Sequence, residues 1–356
     1  MNTGFLNRSL LLSTCGLLAT FGICEHAIAD QPQRDLLVLT STNDPSGNQV
    51  IVFKLEDGNM PTLSFESTLP TGGKGGASGN AGILQFDRDR GAVANYGSNT
   101  VSALTRHGGS IDIEGTIKLA SGCQKPDSVA LTEDRLFVVG ATCAESHTLP
   151  SGRLAGHVVH LGDPSAAQIA IGKSWGAVTF TSGSVLQLAL SSDGDLNGGA
   201  AAVTLPNDAN NTPLGAAFWN DILGFTPAHS PDSFAIVDAE RNVFPIPGPA
   251  PAYPTNAPCW VAKGPGSVWY TGNSPGKAIS IFFSDDRGGA FYKSIPLPGS
   301  PTDITVSADK RWLAVIYSVA GNGYVAVFKV DHYGNLTAVA TSESLGITFN
   351  GVAISQ

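Results

Sequence analysis

The sequence predicts an all-β fold, a seven-bladed β-propeller closed by pairing of its N- and C-terminal strands in one blade. Two observations predict it. A unit of four short strands recurs every 38 to 49 residues, and a tryptophan recurs at a fixed place in that unit. The unit is clearest in residues 301–336, where segments rich in β-favouring residues are separated by turns containing Gly, Asn and Asp. Four antiparallel strands in about 45 residues is the size of one propeller blade.

Seven positions share the start of this unit: Asn80, Pro126, Pro164, Pro213, Pro258, Pro301 and Phe349. Trp175, Trp269 and Trp312 each lie 11 residues after one of these starts, so one position opens the second strand of three blades. The six starts up to Pro301 give six blades. The seventh blade is predicted to be split, with three strands from residues 36–69 and its inner strand from residues 350–355. Joining the chain ends in one sheet closes the ring and removes exposed edge strands.

The blade that starts at Pro126 is the shortest copy of the unit. Its residues 144–154 are predicted to form a long loop, and its fourth strand cannot be assigned from the sequence.

The N-terminus has the pattern of a secretory signal peptide. Residues 1–8 carry a basic group, residues 9–23 are apolar or small, and residues 27–29 place alanines where a signal peptidase reads the chain. We therefore expect residues 1–29 to be a signal peptide and residues 30–356 to be a single propeller domain, secreted or periplasmic. The apolar stretch is too short for a comfortable membrane span, and no later stretch reaches that length.

The composition argues against several kinds of partner. A formal net charge of −9 and a pI near 5.1 disfavour nucleic acid and anionic membranes. Charged residues make up only 14% of the chain, while the 42 glycines and 22 prolines suit short strands joined by many turns. We expect a monomer without a membrane span.

Three cysteines remain after removal of the signal peptide: Cys123, Cys143 and Cys259. An odd number permits one disulfide and one free thiol. Cys123 precedes the inner strand of a blade, and Cys143 is predicted to end the second strand of that blade. Those two points share one face of a propeller, which favours a Cys123–Cys143 disulfide. Three unpaired buried thiols are the alternative.

Two segments resemble ligand-binding loops but lack a decisive residue. Residues 72–76 are glycine-rich, yet they lack the Lys-Ser/Thr pair at a helix start that a phosphate loop requires. Residues 193–198 resemble half of a calcium loop, but Thr204 stands where the acidic bidentate ligand is needed. We predict turns at both places, and neither a metal nor a cofactor.

Chemistry in a propeller usually gathers at one mouth of the central channel. The loops that enter the inner strands meet there with the loops between second and third strands. Of the polar residues expected at this mouth, Asn80, Asn95, Asp127, Lys277 and Asp303 are the candidate substrate-binding residues.

The candidate catalytic residues are Glu145, His147 and Arg153, which fall together in the predicted long loop of the shortest blade. A glutamate and a histidine can transfer protons, and an arginine can bind an anion. The alternative is a polar loop without a chemical role.

Several segments together resemble one known family. They are residues 71–73, 95–102, 126–130, 212–215, 257–261 and 301–304. They resemble the exported bacterial branch of the lactonase-like seven-bladed propellers, which include 6-phosphogluconolactonases and 3-carboxy-cis,cis-muconate lactonising enzymes. The resemblance covers essentially the whole mature chain, and it implies opening or closing of a lactone without cofactor or metal.

Two functions are therefore expected, and the fold alone does not choose between them. One is an exported hydrolase or cyclase acting on a small lactone or carboxylate, with His147 or Glu145 assisting water attack and Arg153 or Lys277 stabilising the oxyanion. The other is a non-catalytic propeller of the envelope or cell exterior that binds a carbohydrate or a protein.

Overall fold

The structure is a computed structural model that describes residues 35–56, 61–207, 209–230, 234–249 and 257–356. The predicted signal peptide, residues 1–29, lies outside these ranges. The described residues contain 28 strands and one short 3-10 helix, Tyr96–Ser98. No helix in these ranges has the length and apolar character needed to cross a membrane.

The strands form seven antiparallel sheets of four strands each, numbered here as blades 1 to 7. Blade 1 contains β28 (Asn350–Ser355), β1 (Leu36–Ser41), β2 (Gln49–Glu56) and β3 (Thr62–Pro70). Blade 2 contains β4 (Leu84–Asp87), β5 (Arg90–Asn95), β6 (Thr100–His107) and β7 (Ser110–Lys118). Blade 3 contains β8 (Pro126–Leu131), β9 (Arg135–Gly140), β10 (Cys143–Thr148) and β11 (Arg153–His160). Blade 4 contains β12 (Ala166–Ile171), β13 (Trp175–Phe180), β14 (Ser184–Leu190) and β15 (Leu196–Val203). Blade 5 contains β16 (Pro213–Trp219), β17 (Ile222–Pro227), β18 (Phe234–Val237) and β19 (Val243–Ile246). Blade 6 contains β20 (Pro258–Lys263), β21 (Val268–Asn273), β22 (Ala278–Ser284) and β23 (Gly289–Pro296). Blade 7 contains β24 (Ser300–Val306), β25 (Trp312–Val319), β26 (Asn322–Val330) and β27 (Leu336–Thr341).

The predicted seven-bladed ring and its closure are confirmed. The last strand, β28, pairs antiparallel with β1, so that Val38 lies opposite Ile354 and Thr40 lies opposite Val352. The Thr40 hydroxyl also donates a hydrogen bond to the Gly351 carbonyl at 2.8 Å. Both chain ends therefore complete one sheet, as the repeat predicted.

The core lies between neighbouring blades, because each sheet packs its faces against the next sheet around the ring. Val38 and Phe53 of blade 1, for example, pack in one buried cluster with Ile316 and Val327 of blade 7. Second strands are buried throughout, as in β13, whereas outer strands such as β15 are largely exposed. This arrangement explains the apolar second strands and the polar, small-residue outer strands of the repeat.

Four of the predicted blade starts are prolines at a shift of strand register. Pro126, Pro213, Pro258 and Pro301 are each followed by one or two inner-strand residues without an opposite partner on the second strand. Proline has no backbone N–H, so it is tolerated at such bulges. In blade 3 the extra residue is Asp127, whose side chain is thereby set apart from the regular ladder.

The prediction for blade 3 is wrong in one respect. Residues 144–154 are not a long loop, because most of them belong to β10 and β11, which complete a regular four-stranded sheet. Cys143 opens the third strand and does not end the second, which stops at Gly140. The buried polar residues of β10 gave this strand the composition of a loop.

The closure hydrogen bond of Thr40 offers a test of how the ring is held. A Thr40→Val substitution keeps the shape of the side chain but removes the donor to the buried Gly351 carbonyl. We expect a loss of about 1–3 kcal/mol in the free energy of unfolding, measured by urea denaturation. The matched control is Thr68→Val on the exposed outer strand β3, where the change should stay below about 0.5 kcal/mol. Equal losses in the two variants would contradict the role of this bond.

Candidate functional site

Glu145 and His147 lie on β10 and not in a loop at the channel mouth. Their side chains are 0% and 1% exposed, because this face of β10 packs against the end of blade 2. The side chain of Arg153, at the start of β11, is exposed. The structure thus brings Glu145 and His147 together but seals them between two blades, so their predicted placement at the mouth is wrong.

The two side chains are hydrogen-bonded to each other and to the backbone. His147 Nδ1 is 3.0 Å from the Gly152 carbonyl, which can only accept, so Nδ1 donates this bond. His147 Nε2 is 2.9 Å from Glu145 Oε1, and the Ala120 N–H donates to Glu145 Oε2 at 2.9 Å. Every polar atom of the pair has a protein partner, as expected of a structural element of the core.

A disulfide lies beside the pair. Cys123 and Cys143 are joined, with their Cα atoms 5.5 Å apart, and Cys143 Sγ is 4.0 Å from Glu145 Oε2. The two sulfurs and this carboxylate lie within 4.8 Å of one another, the spacing of a possible metal site. The bond between the sulfurs removes both thiolates that a metal would need. The group therefore fastens the linker between blades 2 and 3 to β10.

Two of the predicted substrate-binding residues do not lie in the channel. Asn95 is fully buried, donates to the Ser102 hydroxyl at 2.8 Å and accepts from the Thr71 hydroxyl at 2.8 Å. Its amide is thus occupied in holding blade 2 to the linker from blade 1. Lys277 is exposed in the turn between β21 and β22.

The other three predicted residues, Asn80, Asp127 and Asp303, meet at one end of the channel. The face of the ring where the inner strands begin is called here the strand-start face. Residues 79–83, which we call the channel plug, lie across the channel at this face. The Asn80 side chain donates to the Asp127 carbonyl at 2.7 Å and accepts from the Asn350 amide at 3.2 Å. The Trp260 indole reaches the Asn80 carbonyl from blade 6 at 3.4 Å.

The rest of the channel plug is tied to blades 3 and 4. The Ala81 N–H donates to the Ala167 carbonyl at 3.1 Å, and the Gly82 carbonyl accepts from the Val129 N–H at 2.9 Å. Gly82 has a φ of +69°, and a Cβ atom there would lie 2.9 Å from the Gln168 amide nitrogen. Only glycine fits this close approach without strain. The plug is therefore built into the ring, and it closes the mouth that the sequence predicted to be the site.

Asp303 is the centre of this closure. Its carboxylate accepts the Ile304 N–H at 2.8 Å and the Val352 N–H at 3.1 Å, and also the backbone N–H of Gly82. One carboxylate thus holds the inner strand of blade 7, the closing strand β28 and the plug. Burial raises the pKa of Asp303 to about 7, although the three N–H groups act in the opposite direction.

Asp127 differs from Asp303 because one of its carboxylate oxygens has no partner. Its Oδ1 is buried and makes no hydrogen bond within the part of the chain that the structure describes. Burial alone raises the pKa of Asp127 to about 7. This acid beside the plug therefore carries a desolvation cost that no contact offsets.

A cavity of about 320 Å³ occupies the channel beyond the plug. Its walls come from the inner strands of blades 2 to 7, and its polar side chains are Gln85, Asp87, Gln168, Lys263, Asp303, Thr305 and Lys310. Residues near the strand starts, such as Val129 and Ile169, are fully buried, whereas Leu131 and Ile171 near the strand ends are partly exposed. The cavity therefore opens on the opposite side of the ring, called here the strand-end face. Its size is at the lower end of that of small-molecule sites.

Two lysines mark the open end of the cavity. Lys263 is 7% exposed, and its ammonium lies 4.9 and 5.1 Å from the ring centres of Trp219 and Trp269. Burial, and then the like charge of Lys310, lower the pKa of Lys263 to about 8. Burial also lowers the pKa of Lys310 and raises that of Asp87. This end of the channel therefore carries two lysines and one acidic side chain.

Sequence reasoning missed the strand-end residues because it considered only the strand-start face. A signal was present in the repeat. Gln85, Gln168 and Lys263 are polar residues that follow the predicted blade starts Asn80, Pro164 and Pro258 by four or five residues. A polar residue at such a position either contacts the channel or is buried against a neighbouring blade, and it deserves consideration as a lining residue.

Comparisons with known proteins agree on the fold. The sequence matches no protein-family model and no curated protein. A protein from Lactobacillus plantarum has a similar structure, with 13% identity, a TM-score of 0.68, and 91% of this chain and 100% of that chain covered. The periplasmic gluconolactonase PpgL of Pseudomonas aeruginosa has 15% identity and a TM-score of 0.63, with 90% and 98% covered. Virginiamycin B lyase of Staphylococcus aureus has 14% identity and a TM-score of 0.55, with 79% and 94% covered. The chain shares their propeller fold. At these identities the likeness extends to the fold alone.

The unpartnered Asp127 carboxylate predicts a dependence of stability on pH. Its folded pKa of about 7 lies above the value of about 3.9 in an unfolded chain, so the folded state binds the extra proton. Stability from this group is complete below about pH 4 and is lost as the pH rises through about 7. We expect Asp127→Asn to be about 2–4 kcal/mol more stable than the parent at pH 8 and equally stable at pH 4.

The measurement is urea denaturation between pH 4 and pH 8. The exposed Asp112 on β7 provides the control, because Asp112→Asn should leave the pH profile of the parent unchanged. Asp127→Asn still contains Asp303, so the dependence of its unfolding free energy on pH should be weaker than in the parent but not absent. An unaltered slope in Asp127→Asn would contradict the assignment.

The Glu145–His147 pair predicts a contrast between two substitutions. In Glu145→Gln the amide can donate to His147 Nε2 and its oxygen can still accept the Ala120 N–H, so the loss should be below about 1 kcal/mol. In Glu145→Ala both buried groups lose their partner, and we expect a loss of about 3–5 kcal/mol. The free energy of unfolding is the readout. Equal losses of unfolding free energy in Glu145→Gln and Glu145→Ala would contradict this prediction, because they would show that the amide cannot replace the carboxyl group.

Proposed function

We propose that this protein is an exported propeller that binds a small, ring-shaped polar molecule, a sugar or a sugar lactone, in its channel cavity. The observation that carries the proposal is the cavity of about 320 Å³, closed by the plug and open at the strand-end face. Its walls combine apolar side chains with a few amide and carboxyl groups, the usual composition of small-molecule sites. Export is proposed from the signal-peptide pattern of residues 1–29, and a periplasmic protein among the structures of similar fold is compatible with it.

The inner strands add recognition groups that any sugar can use. Each inner strand pairs with a neighbour on one side only, so backbone N–H and C=O groups of its other edge face the channel. The Gln168 amide accepts the Ala216 N–H at 2.6 Å through its oxygen, which leaves its NH₂ group for a ligand. Hydroxyl groups of a sugar can both donate and accept, so they suit such a mixed lining.

Lactone hydrolysis is the second candidate function. Asp303 favours it, because this carboxyl lines the cavity and its pKa of about 7 suits proton transfer at neutral pH. Asp303 would accept a proton from water as the water oxygen adds to the lactone carbonyl. The ring oxygen would then leave with that proton as an alcohol, giving a hydroxy acid. Glu145 and His147 have no part in this step, because both are sealed between blades 2 and 3.

Blocking the open mouth tests both functions. Ala308 is exposed and lines the cavity entrance, so Ala308→Trp should fill the mouth without disturbing the core. We expect calorimetry with glucose, galactose and fresh gluconolactone to show at least tenfold weaker binding than in the parent, because the indole occupies the entrance. Ala201→Trp on the exposed outer strand β15 is the matched control and should bind as the parent does.

Lactone opening can be followed in the same samples by acid release. If the protein is a hydrolase, the rate should rise with pH through about 7 as Asp303 ionises, and it should be lost in Ala308→Trp. Binding without acid release above the uncatalysed rate would leave the binding function and refute the hydrolase. Failure of the parent to bind any sugar or lactone in the panel would refute the proposed site.

A further inference from the structure

The open end of the cavity carries two lysines, Lys263 and Lys310. Lys310 lies in the turn between β24 and β25, lines the cavity, and donates to the Lys263 carbonyl at 3.2 Å. The Lys263 ammonium is bound by carbonyls only, at 2.9 Å from Gly264 and 3.1 Å from Val268 among them. Neither lysine takes part in the ion pairs formed by the described residues.

The acidic groups near this end are Asp309 and Asp87. Asp309 precedes Lys310, and its carboxylate accepts the Ser307 hydroxyl and the Arg311 guanidinium while also attracting the Lys310 ammonium. Asp87 lines the cavity from blade 2, and burial raises its pKa. The two lysines repel each other, and neither forms an ion pair with a carboxylate of the described residues.

We propose that the strand-end mouth is an anion subsite, in which Lys310 binds the carboxylate or phosphate of a small polar ligand whose body occupies the cavity. Lys310 makes the contact, because it lines the cavity and is partly exposed. Lys263 acts from behind it, because its ammonium is buried and held by three carbonyls. A bound anion would relieve the repulsion between the two ammonium groups.

The subsite gives the channel a preference among related compounds. The anion subsite rests on the proposed function, because the body of the ligand is placed in the same cavity. A hydroxy acid carries a carboxylate, whereas its lactone and its parent sugar are neutral. The open hydroxy acid should therefore bind more tightly than either, and added salt should weaken its binding but not that of the sugar.

Calorimetry with four probes tests the subsite: gluconate, glucose 6-phosphate, glucose and inorganic phosphate. For Lys310→Met we expect binding of the anionic sugars to fall at least tenfold, while glucose binding changes less than twofold. Lys310→Arg keeps the charge and should bind the anions within about threefold of the parent. The exposed Lys329 on β26 gives the control, and Lys329→Met should bind all probes as the parent does. Gluconate and glucose 6-phosphate distinguish a carboxylate subsite from a phosphate subsite.

The outcomes separate this inference from the proposed function. Glucose binding with no preference for its anionic relatives, or no effect of Lys310→Met on them, overturns the subsite and leaves the channel function standing. Phosphate binding that depends on Lys310, without any binding of glucose, supports the anion subsite and refutes the proposal that the cavity binds a sugar. An equal loss of glucose and gluconate in Lys310→Met overturns the subsite, because it points to a damaged cavity. Absence of all binding to the parent overturns both.

Discussion

The pairing of β28 with β1 is the constraint on which the rest of the molecule depends. Each blade packs only against its two neighbours, so the ring has a defined channel only when the first and last blades are also held in contact. The closing strand brings its own polar anchor, because the Val352 N–H is bound by Asp303 of blade 7. Thr40 adds a side-chain bond to the bulged Gly351. Closure is thus distributed over backbone pairing, apolar packing and one buried carboxylate.

The same carboxylate joins the architecture to the cavity. Asp303 binds the closing strand, its own strand and the plug, and it also forms part of the cavity wall. The local dielectric that makes its hydrogen bonds strong also makes its charge costly, which is why its pKa lies near 7. A substitution of Asp303 would therefore change both the ring closure and the cavity wall. The cavity and the ring closure are linked through this one residue.

The sequence predicted the parts of the fold that repeat. The number of blades and the split blade follow from periodicity, and both appear in the structure. Trp175 and Trp312 open their second strands as predicted, whereas Trp269 is the second residue of β21. Blade 3 failed because Glu145 and His147 are polar residues on a buried strand, and a single sequence cannot show that they satisfy each other. The plug could not be predicted either, because Gly82 fits for reasons of space between three blades. Channel lining depends on which strand edge faces the axis, and the sequence did not indicate that residues 79–83 lie across the strand-start mouth.

The similarity of fold to a gluconolactonase and to a lyase therefore does not identify the ligand site of this chain. A propeller offers two mouths, and which of them admits a ligand is decided by loops and not by blades. Here residues 79–83 bind the inner strands of blades 3, 4, 6, 7 and 1, which no single loop exchange would undo. The strand-end side of the cavity carries Lys263, Lys310 and Asp87. A ligand that enters there would meet these three groups, so its charge should matter as much as its shape.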